Sequence, residues 1–279
     1  MTNITTEESP LNPNSKKIRV ICAGLGRTGT LSLTEALETL GYKPYHYIDF
    51  KHASAWADFV DGKCSTSVDD IMDLIVNDGY DAVLENPTCE IYHDILDRFP
   101  DAKVVLTVRD TKEKFETSWK TLLDTMVVTE KRFRWNFPSF FTWIPLFSQL
   151  KKIRYFMGTT HLKLEPGSLT HGWREKSEGW LAEQYERHNQ DVIDHIPAGQ
   201  LLIFNVKQGW KPLCEFLECE IPRDEPFPHS KVNDTESLKR MRKIFLIAIY
   251  GWIPTVVATA GGALLLGRHF TQNPRVCKK

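Results

Sequence analysis

The sequence lacks the features that mark nucleic-acid-binding, disulfide-rich and metal-cluster proteins. Its 279 residues carry a formal net charge of −1, so no excess of positive charge attracts nucleic acid, and we expect no nucleic-acid partner. Its six cysteines include no Cys-x-x-Cys pair and no paired cysteine–histidine spacing. That pattern predicts free thiols in a reducing compartment and no bound metal.

The first 16 residues also lack the features of a targeting sequence. Residues 1–16 are polar and acidic, without a basic segment that leads into an apolar one. We therefore predict that they are not a signal peptide and that they form a disordered N-terminal segment.

Long apolar runs are missing until the C-terminal part of the chain. Residues 244–267 then form a run of 24 without one charged side chain. That length predicts a transmembrane helix, kinked at Pro254, although a buried core helix is the alternative interpretation. Residues 268–279 would be a short basic tail. Because no signal peptide is predicted, we expect a single-pass C-terminal membrane anchor that leaves the folded domain in the cytosol.

Between these ends, apolar strand patterns alternate with helical patterns, which is typical of a parallel sheet. The sequence therefore predicts an α/β domain over residues 17–240, with an open P-loop-like parallel sheet of about five strands flanked by helices. The strands are predicted at 17–23, 44–49, 80–84, 102–108 and 200–205. The helices are predicted at 28–40, 68–77, 88–99, after Asp110 as N-cap, at 177–195 and at 209–217. An aromatic segment, 133–156, interrupts this alternation. It is interpreted either as part of the hydrophobic core or as a lid over an acceptor pocket.

Polar residues follow three of the predicted strands. They are the turn 24–30, the tripeptide Glu85-Asn86-Pro87, and Arg109-Asp110 with Ser118 nine residues further on. Ligands of open parallel sheets bind beyond the carboxyl ends of the strands, so these residues are the candidate site.

The glycine-rich turn is compatible with more than one nucleotide site. As a P-loop, it has Gly24 and Gly29 at the correct spacing, but Thr30 stands at the lysine position and Leu31 at the Ser/Thr position. Without the lysine and the magnesium-binding hydroxyl, hydrolysis of ATP or GTP is not expected.

A dinucleotide site is the second interpretation. Gly24, Gly26 and Gly29 spell Gly-x-Gly-x-x-Gly between a strand and a helix, and Asp49 lies near the position of a ribose-binding acid. An NAD(P)-dependent oxidoreductase therefore stays an alternative. Arg27 inside the turn argues against it, because a pyrophosphate needs close backbone approach there.

A third interpretation uses all three strand ends. The backbone N–H groups and hydroxyls of residues 27–30 can hold one phosphate at a helix start, with Arg27 as a cation above it. Arg109 and Ser118 can hold a second phosphate, and Glu85 between them can take a proton. Two phosphate sites, a cation and a carboxylate match 3′-phosphoadenylyl sulfate (PAPS), which carries phosphates at both ends of a ribose.

On these residues the chain resembles the PAPS-dependent sulfotransferases, in the branch with a Gly-Leu-Gly-Arg-Thr-Gly-Thr turn. The matching segments are GLGRTGTLSL (24–33), GYDAVLENP (79–87), FPDAKVVLTVRD (99–110) with Ser118, GWKPLCEFL (209–217) and EPFPHSKVND (225–234). The chain departs from the branch where Glu85-Asn86-Pro87 replaces Asp-x-Pro. It departs again where His229-Ser230-Lys231 carries an insertion.

The resemblance implies transfer of a sulfuryl group from PAPS to a hydroxyl or amine of a small-molecule acceptor, for which an apolar or lipid-like compound is one option. It implies Glu85 as general base and Arg27 as the cation that stabilises the leaving bisphosphate, without a metal. Donor binding would fall to Gly26, Arg27, Thr28, Gly29, Thr30, Arg109 and Ser118. A catalytically inactive, membrane-anchored nucleotide-binding adaptor is the remaining alternative.

Overall fold

A computed structural model describes the chain over four long ranges and several short ones. The described residues are 17–46, 50–61, 66–133, 149, 152–153, 156–159, 161–165, 168–169, 172–230, 239–240, 243, 257–259 and 261–262. The predicted N-terminal segment 1–16 lies outside them, as do most of the aromatic segment 133–156 and Asp49.

Strands and helices alternate along the chain, as the sequence predicts. The strands are β1 (Val20–Cys22), β2 (Pro44–His46), β3 (Ala82–Leu84), β4 (Lys103–Thr107) and β5 (Leu201–Phe204). The helices are α1 (Thr30–Thr39), α2 (Ala53–Asp61), α3 (Val68–Asn77), α4 (Tyr92–Arg98), α5 (Lys112–Phe133), α6 (Trp180–His195) and α7 (Trp210–Leu217). Short 3-10 turns lie at Phe50–His52, Thr88–Ile91, Gly172–Glu175 and Val206–Gln208.

The five strands form one parallel sheet in the order β2-β3-β1-β4-β5. The predicted parallel α/β sheet of about five strands is thereby confirmed. From β1 the chain forms β2 and β3 on one side of β1. It then crosses to the other side, where it forms β4 and β5. This reversal of direction at β1 is the topological position where open α/β sheets bind ligands.

Both faces of the sheet are buried, which explains why its strands are almost wholly apolar. Side chains alternate along a strand, so Val20 and Cys22 of β1 pack with α1 and α7, whereas Ile21 packs on the opposite face with α2, α3 and α4. The buried side chain of Trp56, on α2, belongs to this second layer. This two-sided core fixes the strands whose carboxyl ends carry the polar turns.

One local prediction is wrong, and one helix was not predicted. Asp110 is not the N-cap of α5, because the helix begins at Lys112 and the Thr111 hydroxyl accepts the Lys114 N–H at 3.3 Å. Helix α2 was not predicted from the sequence. Its apolar residues Ala53, Trp56, Ala57 and Val60 follow the helical spacing that would have revealed it.

The chain divides into two units, residues 1–123 with 139–231, and residues 124–138 with 232–279. The first unit contains all five strands. Of the second, the end of α5 and a few helical residues are described. Within the described ranges, no helix is both long and apolar enough to cross a membrane. Most of the predicted transmembrane helix 244–267 lies outside those ranges, so it stays a prediction.

Candidate active site

The three polar turns follow three adjacent strands. Strand β1 lies between β3 and β4, so the glycine turn after β1 is flanked by Glu85 on one side and by Arg109 on the other. The sequence placed these residues at strand ends, and the strand order makes them neighbours.

The glycine turn passes so close to both neighbours that side chains would not fit. A Cβ on Gly24 would lie 2.0 Å from the Thr107 Oγ1, and a Cβ on Gly26 would lie 2.2 Å from the Glu85 Oε1. Gly29 has a φ of +107°, which glycine adopts without steric cost. These glycines let the backbone lie against the carboxylate of Glu85, as an active-site turn requires.

The start of α1 is built to bind an anion. The helix begins at Thr30, and its N-cap is Gly29, which has no side chain to accept the first N–H groups. Helix starts leave such N–H groups unpaired and carry partial positive charge, so the turn can hold a phosphate. Arg27, in the left-handed region at φ +77°, adds a guanidinium beside it.

Glu85 is held at the centre of the site. Its Oε2 accepts a hydrogen bond of 2.6 Å from the Thr30 hydroxyl, and its side chain is 18% exposed. The backbone of Glu85 is itself in the left-handed region, at φ +68°, a conformation that costs energy for a residue with a Cβ. Strain at a carboxylate that still reaches solvent is a feature of functional positions.

The two arginines lie in the same electrostatic environment as Glu85. Burial lowers the pKa of Arg27; the Glu85 charge opposes that shift, and the Arg109 charge adds to it. The Arg27 Nε donates to the Ser118 Oγ at 3.3 Å. The structure thus brings Ser118 to Arg27, whereas the sequence grouped Ser118 with Arg109.

Arg109 is positioned through its backbone. Its N–H donates to the Tyr185 hydroxyl at 2.9 Å. The neighbouring Asp110 carboxylate pairs with Lys114 and Lys207, which together with Asn205 lower its pKa. In the part of the chain that the structure describes, no carboxylate forms an ion pair with the Arg109 guanidinium. That cation is therefore available to a bound anion.

Thr28 has a different role from the neighbouring hydroxyls. It is 0% exposed, and its hydroxyl donates to the Leu25 carbonyl at 2.6 Å and contacts the Thr107 hydroxyl at 2.5 Å. The Thr28 side chain therefore stabilises the turn from its buried side. The group of Thr28 that can bind an anion is its backbone N–H.

Two residues outside the predicted site set also lie at the site. The His46 Nε2 lies 3.9 Å from the Glu85 Oε2, and Trp119 packs beside Gly26. Among the described residues, the His46 Nε2 and the Trp119 Nε1 are buried without a hydrogen-bond partner. His46 ends β2, so its position at a strand end was the available signal. Trp119 follows Ser118, but its contact with the turn depends on tertiary packing.

The segment 225–230 packs on α1 near the glycine turn. The Ser230 N–H donates to the Ser32 hydroxyl at 3.1 Å, and the Trp210 Nε1 donates to the Glu225 carbonyl at 2.8 Å. Ser230, within the departure from the family pattern, therefore lies next to the first turns of α1.

The cysteines near the site are not suited to nucleophilic chemistry. Burial raises the pKa of the Cys22 thiol to about 11, and the pKa of the Cys89 thiol is also raised well above its usual value. Both are protonated at neutral pH. Cys22, Cys89, Cys214 and Cys219 are free thiols, as predicted. Cys64 and Cys277 lie outside the described residues.

The fold and the site define an α/β protein in which a glycine-rich turn at a helix start, two arginines and a carboxylate meet at the switch point of a parallel sheet. Comparison with known proteins gives the family. Residues 19–238 match the family described as "Sulfotransferase domain". The chain belongs to the sulfotransferase family and is a transferase.

A curated relative supports this assignment. The chain is similar to "Ava biosynthesis cluster protein M" of Aspergillus versicolor, with 29% identity over 232 residues. The similarity covers 78% of this chain and 82% of the relative. Sulfotransferases act on small-molecule acceptors, which agrees with the partner expected from the sequence.

Proposed function

We propose that the protein transfers the sulfuryl group of PAPS to a hydroxyl or amine of a small molecule, with Glu85 as general base. The observation that carries this proposal is the meeting of Glu85 with the glycine turn. One carboxylate oxygen lies against Gly26, and the other is bonded to Thr30 at the helix start where a phosphate would bind. A base next to an anion site suits a reaction between an acceptor and a phosphate-bearing donor.

Two groups of residues bind the donor: the turn that follows β1, and the residues that follow β4. The N–H groups of the turn Gly26–Thr30 bind the 5′-phosphate, which carries the sulfuryl group. Arg109 and Ser118 bind the 3′-phosphate. The Arg109 guanidinium supports the second assignment, because it lies close enough to Arg27 to affect its pKa and has no carboxylate partner among the described residues. Charge-assisted hydrogen bonds to phosphate are the strong ones in such sites.

The chemistry needs one proton acceptor and one stabilising cation. As the acceptor oxygen or nitrogen forms a bond to sulfur, Glu85 takes its proton. The bond between sulfur and the bridging oxygen breaks, and the electron pair stays with the departing 3′,5′-bisphosphate. Arg27 stabilises the negative charge that develops on that oxygen. Fixed charge at this point contributes strongly to such rate enhancements.

His46 is a second polar group on the acceptor side of Glu85. Its Nε2 lies 3.9 Å from the carboxylate and is buried without a partner among the described residues. We include it in the proposal as a residue that contacts the acceptor group before Glu85 removes the proton.

The strand order argues against the oxidoreductase alternative. In the dinucleotide fold the second strand lies beside the first, so that its terminal acid reaches the ribose. Here β3 separates β2 from β1, which places the strand that leads to Asp49 one position further away. The position beside β1 is instead held by Glu85.

The experiment is a transfer assay with PAPS and a panel of phenols, alcohols and amines, read by mass spectrometry. The proposal predicts a product heavier by one sulfuryl group, together with 3′-phosphoadenosine 5′-phosphate. Because the relative's name refers to a biosynthesis cluster, small natural-product phenols and alcohols are the first acceptors to test. Donor binding without product across the panel would favour the inactive adaptor instead.

We further propose that residues 244–267 anchor the protein in a membrane with the domain in the cytosol. The support is the length of the uncharged run and its basic neighbours. Alkaline carbonate should leave the full-length protein in the membrane fraction, and extraction would refute the anchor. Glycosylation at Asn233, which is followed by Asp-Thr, would place the domain in the lumen.

A further inference from the structure

A cluster of two histidines and an aspartate lies outside the proposed active site. It consists of His93 on α4 and of Asp191 and His195, four residues apart on α6. The three ligand-capable atoms lie within 4.8 Å of one another. Their side chains are 44%, 42% and 54% exposed, so the cluster is open to ions from solvent.

The distances within the cluster match the spacing of ligands around one metal ion. The His93 Nε2 lies 3.2 Å from the Asp191 Oδ2, and the His195 Nδ1 lies 3.3 Å from the Asp191 Oδ1. Zinc binds imidazole nitrogen and carboxylate oxygen at about 2.0–2.2 Å, so neighbouring ligands of a tetrahedral ion are about 3.3 Å apart. The His93 distance agrees with that edge, and the His195 contact is to the other oxygen of Asp191, which a bidentate carboxylate brings to the same ion.

Simple ion pairing accounts for the same residues less well. The His93 Nε2 forms a hydrogen bond with the Asp191 Oδ2 at 3.2 Å, the long end of the usual range, and the His195 contact with Oδ1 is longer at 3.3 Å. The two rings also lie next to each other, with centroids 4.6 Å apart. Two protonated imidazoles in that position would repel each other, whereas two neutral imidazoles can share one cation.

The aspartate is held as metal-binding carboxylates usually are. The Tyr92 hydroxyl donates to the Asp191 Oδ2 at 2.8 Å. A hydrogen bond from outside the ligand set orients such a carboxylate and strengthens metal binding. The His195 Nδ1 also donates to the Asp191 carbonyl at 2.7 Å, and an ion bound at this nitrogen replaces that hydrogen bond. Binding of an ion through this nitrogen releases its proton.

We propose that His93, Asp191 and His195 form a zinc site that links α4 to α6, with water completing the coordination. We assign the ion a structural role, because none of its three ligands belongs to the proposed active site. The two helices that carry the ligands are nevertheless connected to residues of the active site. Helix α4 follows the turn that contains Glu85, and α6 carries Tyr185, which binds the Arg109 backbone. A bound ion therefore fixes the two supports of the site relative to each other.

The test uses the full-length protein after chelator treatment. Zn²⁺ is titrated by calorimetry, and Co²⁺ is used as an absorbing substitute. We expect one site, and we expect H93A and H195A each to weaken binding by at least about tenfold, since each removes one of three ligands. D194N is the matched control, because Asp194 is an exposed acid beside His195 on the same helix and outside the cluster.

Thermal unfolding provides a second readout. Zn²⁺ at 100 times its dissociation constant should raise the Tm of the unmodified protein and of D194N by roughly 5–10 °C, and should raise that of H195A by about half as much or less. Equal binding by H93A, H195A and the unmodified protein would overturn the proposal. So would a Co²⁺ spectrum dominated by thiolate charge transfer, which would assign the ion to cysteines, or the absence of Zn²⁺ binding.

Discussion

Two groups of polar side chains contact the end of β1, and they are built in opposite ways. The site group, on the crevice side, contains Arg27, Thr30 and Glu85, with two strained backbones and a carboxylate that reaches solvent. The second group is a buried pair, His161 and His188. The His188 Nε2 donates to the Ala23 carbonyl at 2.7 Å, and its Nδ1 lies 3.0 Å from that of His161.

Both Nε2 atoms of the buried pair face backbone carbonyls, and the two Nδ1 atoms face each other. The second nitrogen of His161 contacts the Cys89 carbonyl, so the two rings bridge the backbone just before the glycine turn to the backbone just after the Glu85 turn. Strained backbone and a carboxylate that reaches solvent mark the group to which we assign ligand binding, and burial against backbone carbonyls marks the group that supports it. Changes to the first should therefore alter chemistry, whereas changes to the second should alter stability.

Replacement of Glu85 by glutamine should separate chemistry from binding most strongly. E85Q keeps the size and the hydrogen bond from Thr30 but cannot take a proton. We expect the transfer rate to fall by about 100–10,000-fold, the range attributed to a general base, with the donor affinity unchanged. Single-turnover kinetics with PAPS would measure both. An unchanged rate would show that Glu85 is not the base.

Replacement of Arg109 by alanine should have the reverse pattern. Loss of a charge-assisted bond to the 3′-phosphate is expected to weaken the binding of 3′-phosphoadenosine 5′-phosphate by about 10–100-fold. Lys112→Ala is the matched control, since this nearby cation pairs with Glu186 at 2.8 Å. Similar affinities in both variants would remove Arg109 from the donor site.

The histidine pair should control the pH dependence of stability. Burial lowers the pKa of His161 to about 4 and that of His188 to about 3, from a usual value of 6.5. The unfolded chain therefore binds more protons below pH 6.5, and stability falls as the pH falls. Between pH 7.5 and pH 5 each ring should cost about 2 kcal/mol.

Urea unfolding at several pH values would measure this effect. His188→Gln should lower stability at pH 7.5, where it disturbs the bridge, but should flatten the decline towards pH 5. An equally steep decline in the variant would mean that other groups cause it.

The sequence predicted the parts of the site that depend on one strand and the turn after it. The apolar strand β4 and the residues Arg109 and Asp110 that follow it are local patterns, as is the glycine turn after β1. The order of the strands in the sheet does not follow from any local sequence pattern. It decides that Glu85, which follows β3, lies beside the turn, and it brings the His46 Nε2 within 3.9 Å of the Glu85 carboxylate.

Contacts that depend on side-chain packing also could not be predicted from the sequence. Nothing local indicates that the Ser118 hydroxyl accepts a hydrogen bond from Arg27, or that Thr28 turns inward to Thr107. The histidine bridge joins residues 27 positions apart through two backbone carbonyls. Such contacts follow from how helices pack on a finished sheet.

The central claim is that the glycine turn holds one phosphate of a 3′,5′-bisphosphate rather than a dinucleotide. Calorimetric titration of the full-length protein with 3′-phosphoadenosine 5′-phosphate and with NADP⁺ tests it most directly. The account predicts one site for the bisphosphate and a thermal stabilisation of about 2.7 kcal/mol at 100 times its dissociation constant, with no effect of NADP⁺. Binding of NADP⁺ without binding of the bisphosphate would contradict it.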